Sequence, residues 1–172
     1  MYKKKVCILG ERAVGKSCLV RRFKDGSFDA AYQTTAGADI HKIQLQVDAD
    51  SLQLMLWDIQ GQDRSSEEFF DYMKGASAIV YVIDGTRLQS LDAVLEFRQK
   101  IEIRGSRPVP SMMLFNKSDL ASSWEISSSM INDVELEGMF SLLTSAKEGS
   151  GVNTAFDLLS RVLVGKISLV AA

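Results

Sequence analysis

The residues Gly10-Glu11-Arg12-Ala13-Val14-Gly15-Lys16-Ser17 have the types and spacing needed to hold a phosphate chain, in the pattern G-x-x-x-x-G-K-[ST]. Glycines let a backbone wrap closely around phosphate oxygens, and successive N–H groups at a helix start supply positive potential. Lys16 would then reach the β- and γ-phosphates, and the Ser17 hydroxyl would ligate Mg²⁺. Cys18 continues the segment and is counted with it. Such a loop indicates a nucleoside triphosphate and leaves the base and the reaction open. Chance can produce the same letters as a glycine loop beside a surface lysine, so the flanking elements have to decide.

Three later groups add to this one. Asp58-Ile59-Gln60-Gly61-Gln62 offers a carboxylate as second holder of Mg²⁺, directly or through water. Gly61 has an N–H to offer a γ-phosphate, and Gln62 an amide able to orient an attacking water. A strand-end aspartate before a turn glycine is common in sheet proteins, so this group carries little alone. Asn116-Lys117-Ser118-Asp119 suits guanine. The two oxygens of Asp119 can accept from N1–H and the 2-amino group together, a donor pair adenine lacks. The Lys117 stem can cover one face of the base, Asn116 can tie loops together, and Leu120 is counted with the base-binding residues. Ser145-Ala146-Lys147 follows, with the Ala146 N–H as a donor to guanine O6.

All four groups need strand ends to position them, and the chain supplies these. Residues 6–9 form a short apolar run before the first glycine, and residues 17–24 have helical periodicity after it. Residues 39–47 alternate, with Ile40, Lys42 and Gln44 opposed to His41, Ile43, Leu45 and Val47, as in a half-exposed strand. Asp48-Ala49-Asp50 has turn residues, and 52–57 returns as the second arm of a hairpin. Residues 78–83 are continuously apolar, the pattern of a strand covered on both faces. Leu91, Val94, Leu95, Arg98 and Ile101 mark a helix, 112–115 a strand, and 130–136 a helix stopped at Gly138. Residues 140–143 form another strand and 152–164 a last amphipathic helix, while 105–110 reads as a loop. This alternation predicts a doubly wound α/β sheet, mostly parallel with one antiparallel edge strand. Ligands bind such sheets beyond the carboxyl ends of the strands, and each of the four groups follows a predicted strand.

Composition sets the outer bounds. A chain of 172 residues, 46% hydrophobic and 24% charged with 2 Pro, is one domain with a substantial core; disordered and collagen-like classes are excluded. Lys plus Arg number 20 against 22 Asp plus Glu, so no broad basic face exists and nucleic acid is not an expected partner. Cys7 and Cys18 are too few to staple a secreted scaffold and read as buried free thiols in a reducing compartment. The apolar run after Lys3-Lys4-Lys5 is too short for a signal peptide, and none approaches the roughly 18 residues of a membrane helix. A soluble cytoplasmic domain is expected.

These residues resemble the Ras-like small GTPases, and within them are most similar to the Rab group. The resemblance runs from residue 5 to about 164 with all five guanine-nucleotide motifs in register. It implies a single P-loop NTPase G domain over 1–172, built as a six-stranded sheet with five helices on its two faces. It also implies GTP and GDP binding with Mg²⁺, the metal held by Ser17, Thr35 and Asp58. Hydrolysis would then rest on Gln62, Lys16, Thr35 and Gly61. Thr35, in Tyr32-Gln-Thr-Thr-Ala-Gly-Ala-Asp, corresponds to the threonine that ligates the metal when the γ-phosphate is present. Phe28 would lie edge-on to the guanine, and Tyr32 would close over the phosphates. Trp57 and Tyr72 match Rab-like aromatic positions between two switch segments, 32–40 and 60–74. Protein effectors and exchange or activating factors are expected there, on a monomer that controls trafficking or signalling.

Several residues depart from that pattern. Arg12 stands where many Ras-like proteins keep glycine or a small residue, and Gln60 where alanine or glycine is usual. Ala36 replaces a larger apolar residue, and Ile40 an aromatic, so effector recognition does not carry over. Arg12 either blocks an entering arginine and crowds Gln62, or bends inward and acts as that arginine in cis. The bulk of Gln60 favours the first, and slow hydrolysis is expected; the alternative is a hydrolysis-deficient GTP-binding interaction module, too slow to cycle alone. Asp119 and the lack of a lid segment disfavour a P-loop kinase or ATPase. The chain ends in Ser-Leu-Val-Ala-Ala without a cysteine, so no prenyl anchor is expected on it. Membrane contact would then run through partners or a missing tail. His41 reads as surface or edge packing, Glu67-Glu68 as the solvated face of a switch helix, and Trp124 as a packed side chain or an exposed contact.

Overall fold

A computed structural model describes residues 1–29, 37–59, 67–104 and 108–169 of the chain. β1 (Tyr2–Leu9) leads through the glycine loop into α1 (Lys16–Asp25), and β2 (Ala38–Val47) turns back at Asp48 into β3 (Asp50–Ile59). α2 (Glu67–Met73), β4 (Ala78–Asp84), α3 (Leu88–Ile103) and β5 (Ser111–Asn116) come next. A 3-10 turn at Ser118–Ser123, α4 (Ser128–Leu136), β6 (Phe140–Leu143) and α5 (Val152–Leu163) complete the order. The strands lie as β2-β3-β1-β4-β5-β6. β2 is the antiparallel edge, and every other neighbouring pair is parallel.

β4 shows why the core divides into two layers. All of its residues are buried, and alternate side chains of a strand point to opposite faces. Ala78, Val80 and Val82 join Val6, Ile8, Leu54 and Leu114 in the layer that holds the inner residues of α1 and α5. Ile79, Tyr81 and Ile83 join Cys7, Leu9, Met113 and Phe115 in the layer of α2, α3 and α4. Phe23 of α1 stacks on Phe156 of α5 with ring centroids 4.2 Å apart, and Phe69 of α2 on Phe97 of α3 at 5.4 Å. A strand roofed on both sides has no polar face, so its sequence runs apolar without alternation. β2 has neighbours on one face, and its exposed Ile40, Lys42 and Gln44 alternate with less exposed residues as expected.

Boundaries differ where pairing, not hydrophobicity, sets them. β1 begins at Tyr2 instead of residue 6, because residues 2–5 pair with residues 52–55 of β3. Its lysines are accommodated at the surface: the Lys5 ammonium lies 3.7 Å over the Trp57 ring and donates to Lys74 O at 2.9 Å. β3 is longer at both ends than the apolar run for the same reason. α4 starts two residues before its first apolar residue, because the Ser127 hydroxyl caps it by accepting from the Met130 N–H. Cys7 is buried as expected, and burial pushes its thiol up to about 12. Cys18 is only half-buried: in the first turn of α1 it faces the segment at Asp29, whose carbonyl lies 3.9 Å from its Sγ.

The register brings the strand ends level. Ile8 lies opposite Asp58, Leu9 opposite Tyr81, Asp84 opposite Asn116 and Phe115 opposite Leu143. β1 lies between β3 and β4, with the earlier strands to one side and the later ones to the other, so the glycine loop opens at the point where strand order reverses.

Candidate functional site

The glycine loop is held by groups that its sequence neighbours cannot supply. Gly15 has φ +103, and a Cβ there would come within 2.4 Å of Asn116 Nδ2, so both backbone conformation and space require glycine. Lys16 folds back over the loop, its Nζ donating to Gly10 O at 3.1 Å and Glu11 O at 2.9 Å. Burial pulls this ammonium below its ordinary value, Asp58 opposes the change, Arg87 adds to it and Glu11 opposes it. A buried cation displaced in this way is stabilised by any anion that comes to rest beside it. The Ser17 hydroxyl donates to Asp58 Oδ2, which brings together two oxygens able to ligate a metal, from α1 and the end of β3.

On the other side of the loop, Asn116 is a structural knot. Its Nδ2 donates to Val14 O at 3.0 Å, while its Oδ1 accepts from Thr144 Oγ1 at 3.2 Å and Ala146 N at 3.1 Å. One fully buried side chain thus joins the glycine loop to the Ser145–Lys147 loop. The Ala146 N–H is therefore shared: a base oxygen would meet it as a second acceptor. Asp119 Oδ1 accepts from Ser145 Oγ at 2.6 Å, and Ser145 Oγ accepts in turn from Glu148 N at 3.0 Å. Lys117 adopts the left-handed conformation, φ +67, and its ammonium reaches Asp84 Oδ2 at 2.6 Å. Leu120 is exposed beside them.

Phe28 stands at the edge of the same region, with the Arg22 guanidinium 5.9 Å from its ring centre. Away from the loop, Ile40 and Trp57 pair across β2 and β3, and the Trp57 and Tyr72 rings lie 6.3 Å apart. The Tyr72 hydroxyl donates to Glu68 Oε1 at 2.6 Å. Tyr32, Thr35, Ala36, Gln60, Gly61 and Gln62 lie outside the described residues. No cluster of metal-ligating His, Cys, Asp and Glu occurs among the described residues, and His41 is half-buried on β2.

A Ras family model matches residues 5–165 of the chain. The chain belongs to the Ras family. It is 32% identical to Ras-related protein Rab-19 of Mus musculus over 98% of this chain and 78% of that protein. It is 36% identical to Ras-related protein Rab-7L1 of Rattus norvegicus, over 95% and 81% respectively. To Ras-related protein Rab-30 of Homo sapiens it is 33% identical, over 92% and 79%. The Ras family is one of GTP-binding, GTP-hydrolysing molecular switches, and the likeness to Rab proteins spans nearly the whole chain.

Within this Ras-family site the sequence reading missed three residues. Arg22 of α1 donates to Ala146 O at 2.7 Å, Gly26 O at 2.6 Å and Lys147 O at 2.5 Å, joining the Phe28 segment to the Ser145–Lys147 loop. Asp84 closes β4 and is 1% exposed. It accepts from the Thr86 N–H at 3.0 Å and hydroxyl at 2.7 Å, from Arg87 Nε at 3.0 Å and from Lys117. Asp84 was discoverable, being a polar residue that ends a buried apolar strand, as Asp58 and Asn116 are. Arg87, the third, carries no such signal.

Asp84 yields a pH-dependent prediction. Burial alone would raise its carboxyl, but the bonds from Lys117, Thr86 and Arg87 outweigh this and hold it below the usual range. Asp84→Asn leaves Lys117 without this anion and Arg87 with Glu11 alone, and should cost about 2–3 kcal/mol, under the ~3–5 of a fully buried pair because Lys117 and Arg87 keep some solvent. The contribution of a depressed carboxyl is complete above its unfolded value of about 3.9 and disappears as pH falls through the folded one. Denaturant midpoints of the GDP-loaded proteins should therefore differ fully at pH 7 and converge as the pH falls below about 4. A constant gap over that range is the contrary result.

Proposed function

We propose that this chain is a single G domain that cycles between GTP- and GDP-bound forms with Mg²⁺, hydrolysing GTP slowly. The observation that carries the reading is the Asn116 side chain, which ties the Lys16 loop to the Asp119–Ala146 region through Val14 O and Ala146 N. Two loops so joined are set to hold the two ends of one guanine nucleotide. Lys16 draws in the β- and γ-phosphates, and the Asp119 carboxylate accepts from the guanine edge. Gln62 orients the attacking water, and Thr35 and Gly61 respond to the γ-phosphate, so that its loss changes the surface offered to partners. The test is which nucleotide accompanies the purified protein before and after EDTA. Guanine nucleotide released by chelation is expected; adenine nucleotide, or none, rejects the reading.

The residues present fit Mg²⁺. A hydroxyl and a carboxylate, hard oxygen donors on separate elements, are already within hydrogen-bond reach of each other. When bound, the metal neutralises charge on the β- and γ-oxygens. Ser17→Asn removes the hydroxyl ligand and leaves Lys16 and the loop amides in place. In Mg²⁺ the variant should lose about 10–100-fold in GTP affinity and less in GDP affinity. Wild-type affinity for both would reject the phosphate-loop assignment.

Partners would read segments 32–40 and 60–74, to which Ile40 and Tyr72 belong, with Trp57 on the strand that joins them. Ile40 is 48% exposed, which suits a protein contact. A monomer acting in membrane trafficking or signalling, in the cytoplasm or peripheral to membranes through partners, agrees with the Rab likeness. Among the described residues no helix is long and apolar enough to cross a membrane. The second reading, a GTP-binding module that hydrolyses too slowly to cycle alone, is favoured by Arg12 and Gln60 and is separated by single-turnover hydrolysis.

A further inference from the structure

Five carbonyls of the glycine loop have a holder, and one of these holders comes from outside the nucleotide motifs. Gly10 O and Glu11 O are taken by Lys16, Val14 O by Asn116 and Gly15 O by the Leu19 N–H at 2.9 Å. Arg12 O is taken by Arg87 Nη2 at 2.8 Å, from a residue 75 positions later at the start of α3. The grip uses the whole guanidinium: Nε donates to Asp84 Oδ2 at 3.0 Å and Nη1 to Glu11 Oε2 at 3.4 Å. Arg87 is fixed in turn by its backbone. Its N–H donates to Asp84 O at 2.9 Å, and its carbonyl accepts from the Ser90 N–H at 3.0 Å and hydroxyl at 2.7 Å. Ser90 is fully buried.

A trans peptide unit is planar, so a carbonyl and the following N–H point in opposite directions. Holding Arg12 O towards α3 therefore turns the Ala13 N–H to the side away from α3. Ala13 itself has φ +62, a left-handed conformation that a residue with a Cβ keeps only where its surroundings impose it. We infer that Arg87 is a positioning residue that aims the Ala13 N–H at the nucleotide's phosphate chain beyond the α-phosphate. The inference rests on the guanine-nucleotide reading given above. It assigns to β4 and α3 a part in phosphate recognition that the loop sequence alone does not contain. Lysine cannot replace the arginine, because its single compact nitrogen cannot reach three acceptors that the guanidinium meets with three separate nitrogens.

The test compares GDP with GMP, which lacks the β-phosphate, as equilibrium affinities in Mg²⁺ for wild type, Arg87→Leu and Arg87→Lys. Wild type should prefer GDP strongly. Arg87→Leu should lower the GDP-to-GMP affinity ratio about tenfold, the size of one misdirected N–H to a charged oxygen, with GMP affinity near wild type. Arg87→Lys keeps the charge beside Asp84 and the thermal midpoint, and should lower the ratio in the same direction even if Arg87→Leu fails to fold. An equal loss for GDP and GMP, or an unchanged ratio in the lysine variant, overturns the inference and leaves guanine binding intact. A wild-type protein that binds neither nucleotide removes both readings.

Discussion

Single-turnover hydrolysis by the Arg12→Gly, Gln60→Ala double variant is expected to exceed that of wild type and to become responsive to an activating partner that inserts an arginine. Such an arginine is worth about 10³–10⁵ in rate and enters beside the phosphate loop. The Arg12 side chain, in that loop, is exposed and permanently charged. A second cation there meets a like charge, and its length competes for the same space. The Arg12 carbonyl is fixed by Arg87, so the backbone at this position has little freedom to swing the side chain aside. Gln60 is bulkier than the residue it replaces in related switches, and its amide can pair with Gln62 in place of the water. Wild type should therefore hydrolyse slowly and ignore a partner of this kind, with each single substitution giving part of the gain. A clear drop in Arg12→Gly alone would show that the arginine acts in cis, and the occlusion argument would fall.

What the sequence made legible follows from how local each signal is. β4 could be read because burial on both faces leaves no polar residue in the run, and the β2–β3 hairpin because β2 alternates. The four motif groups stand out in the sequence because each comes at the end of an apolar strand, and the sheet levels those strand ends. Arg22 and Arg87 could not, since their acceptors are backbone carbonyls 124 and 75 positions away, and any residue type offers a carbonyl. The start of β1 was hidden for a similar reason: Lys3 and Lys4 belong to the strand through ladder pairing with Gln53 and Leu54. Trp124 shows the intermediate case. Its aromatic character suggested packing, but its place against Gly85, where a Cβ would come within 2.0 Å of the ring, emerges only from the fold. There its Nε1 donates to Lys117 O at 2.9 Å and braces the segment that leads to Asp119.

That bracing bears on Asp119→Asn, which should weaken GDP by about 30–1000-fold, the loss of a paired, charged contact of about 2–4 kcal/mol. The surroundings decide which way the new amide faces. Ser145 Oγ accepts from the Glu148 N–H, so its own proton is left for Asp119 Oδ1. An asparagine must keep an acceptor at that position, and its NH₂ therefore takes the place of Oδ2. There it faces the 2-amino group of guanine donor to donor, a repulsive arrangement. A xanthine base carries an oxygen at position 2 and accepts from the same NH₂. The variant should thus lose guanine nucleotides and gain xanthosine diphosphate, and Ser145→Ala in the same background should blunt the gain by freeing the amide to flip. Competition binding with both diphosphates measures the exchange, and equal GDP affinity in wild type and Asp119→Asn would remove Asp119 as the reader of the base.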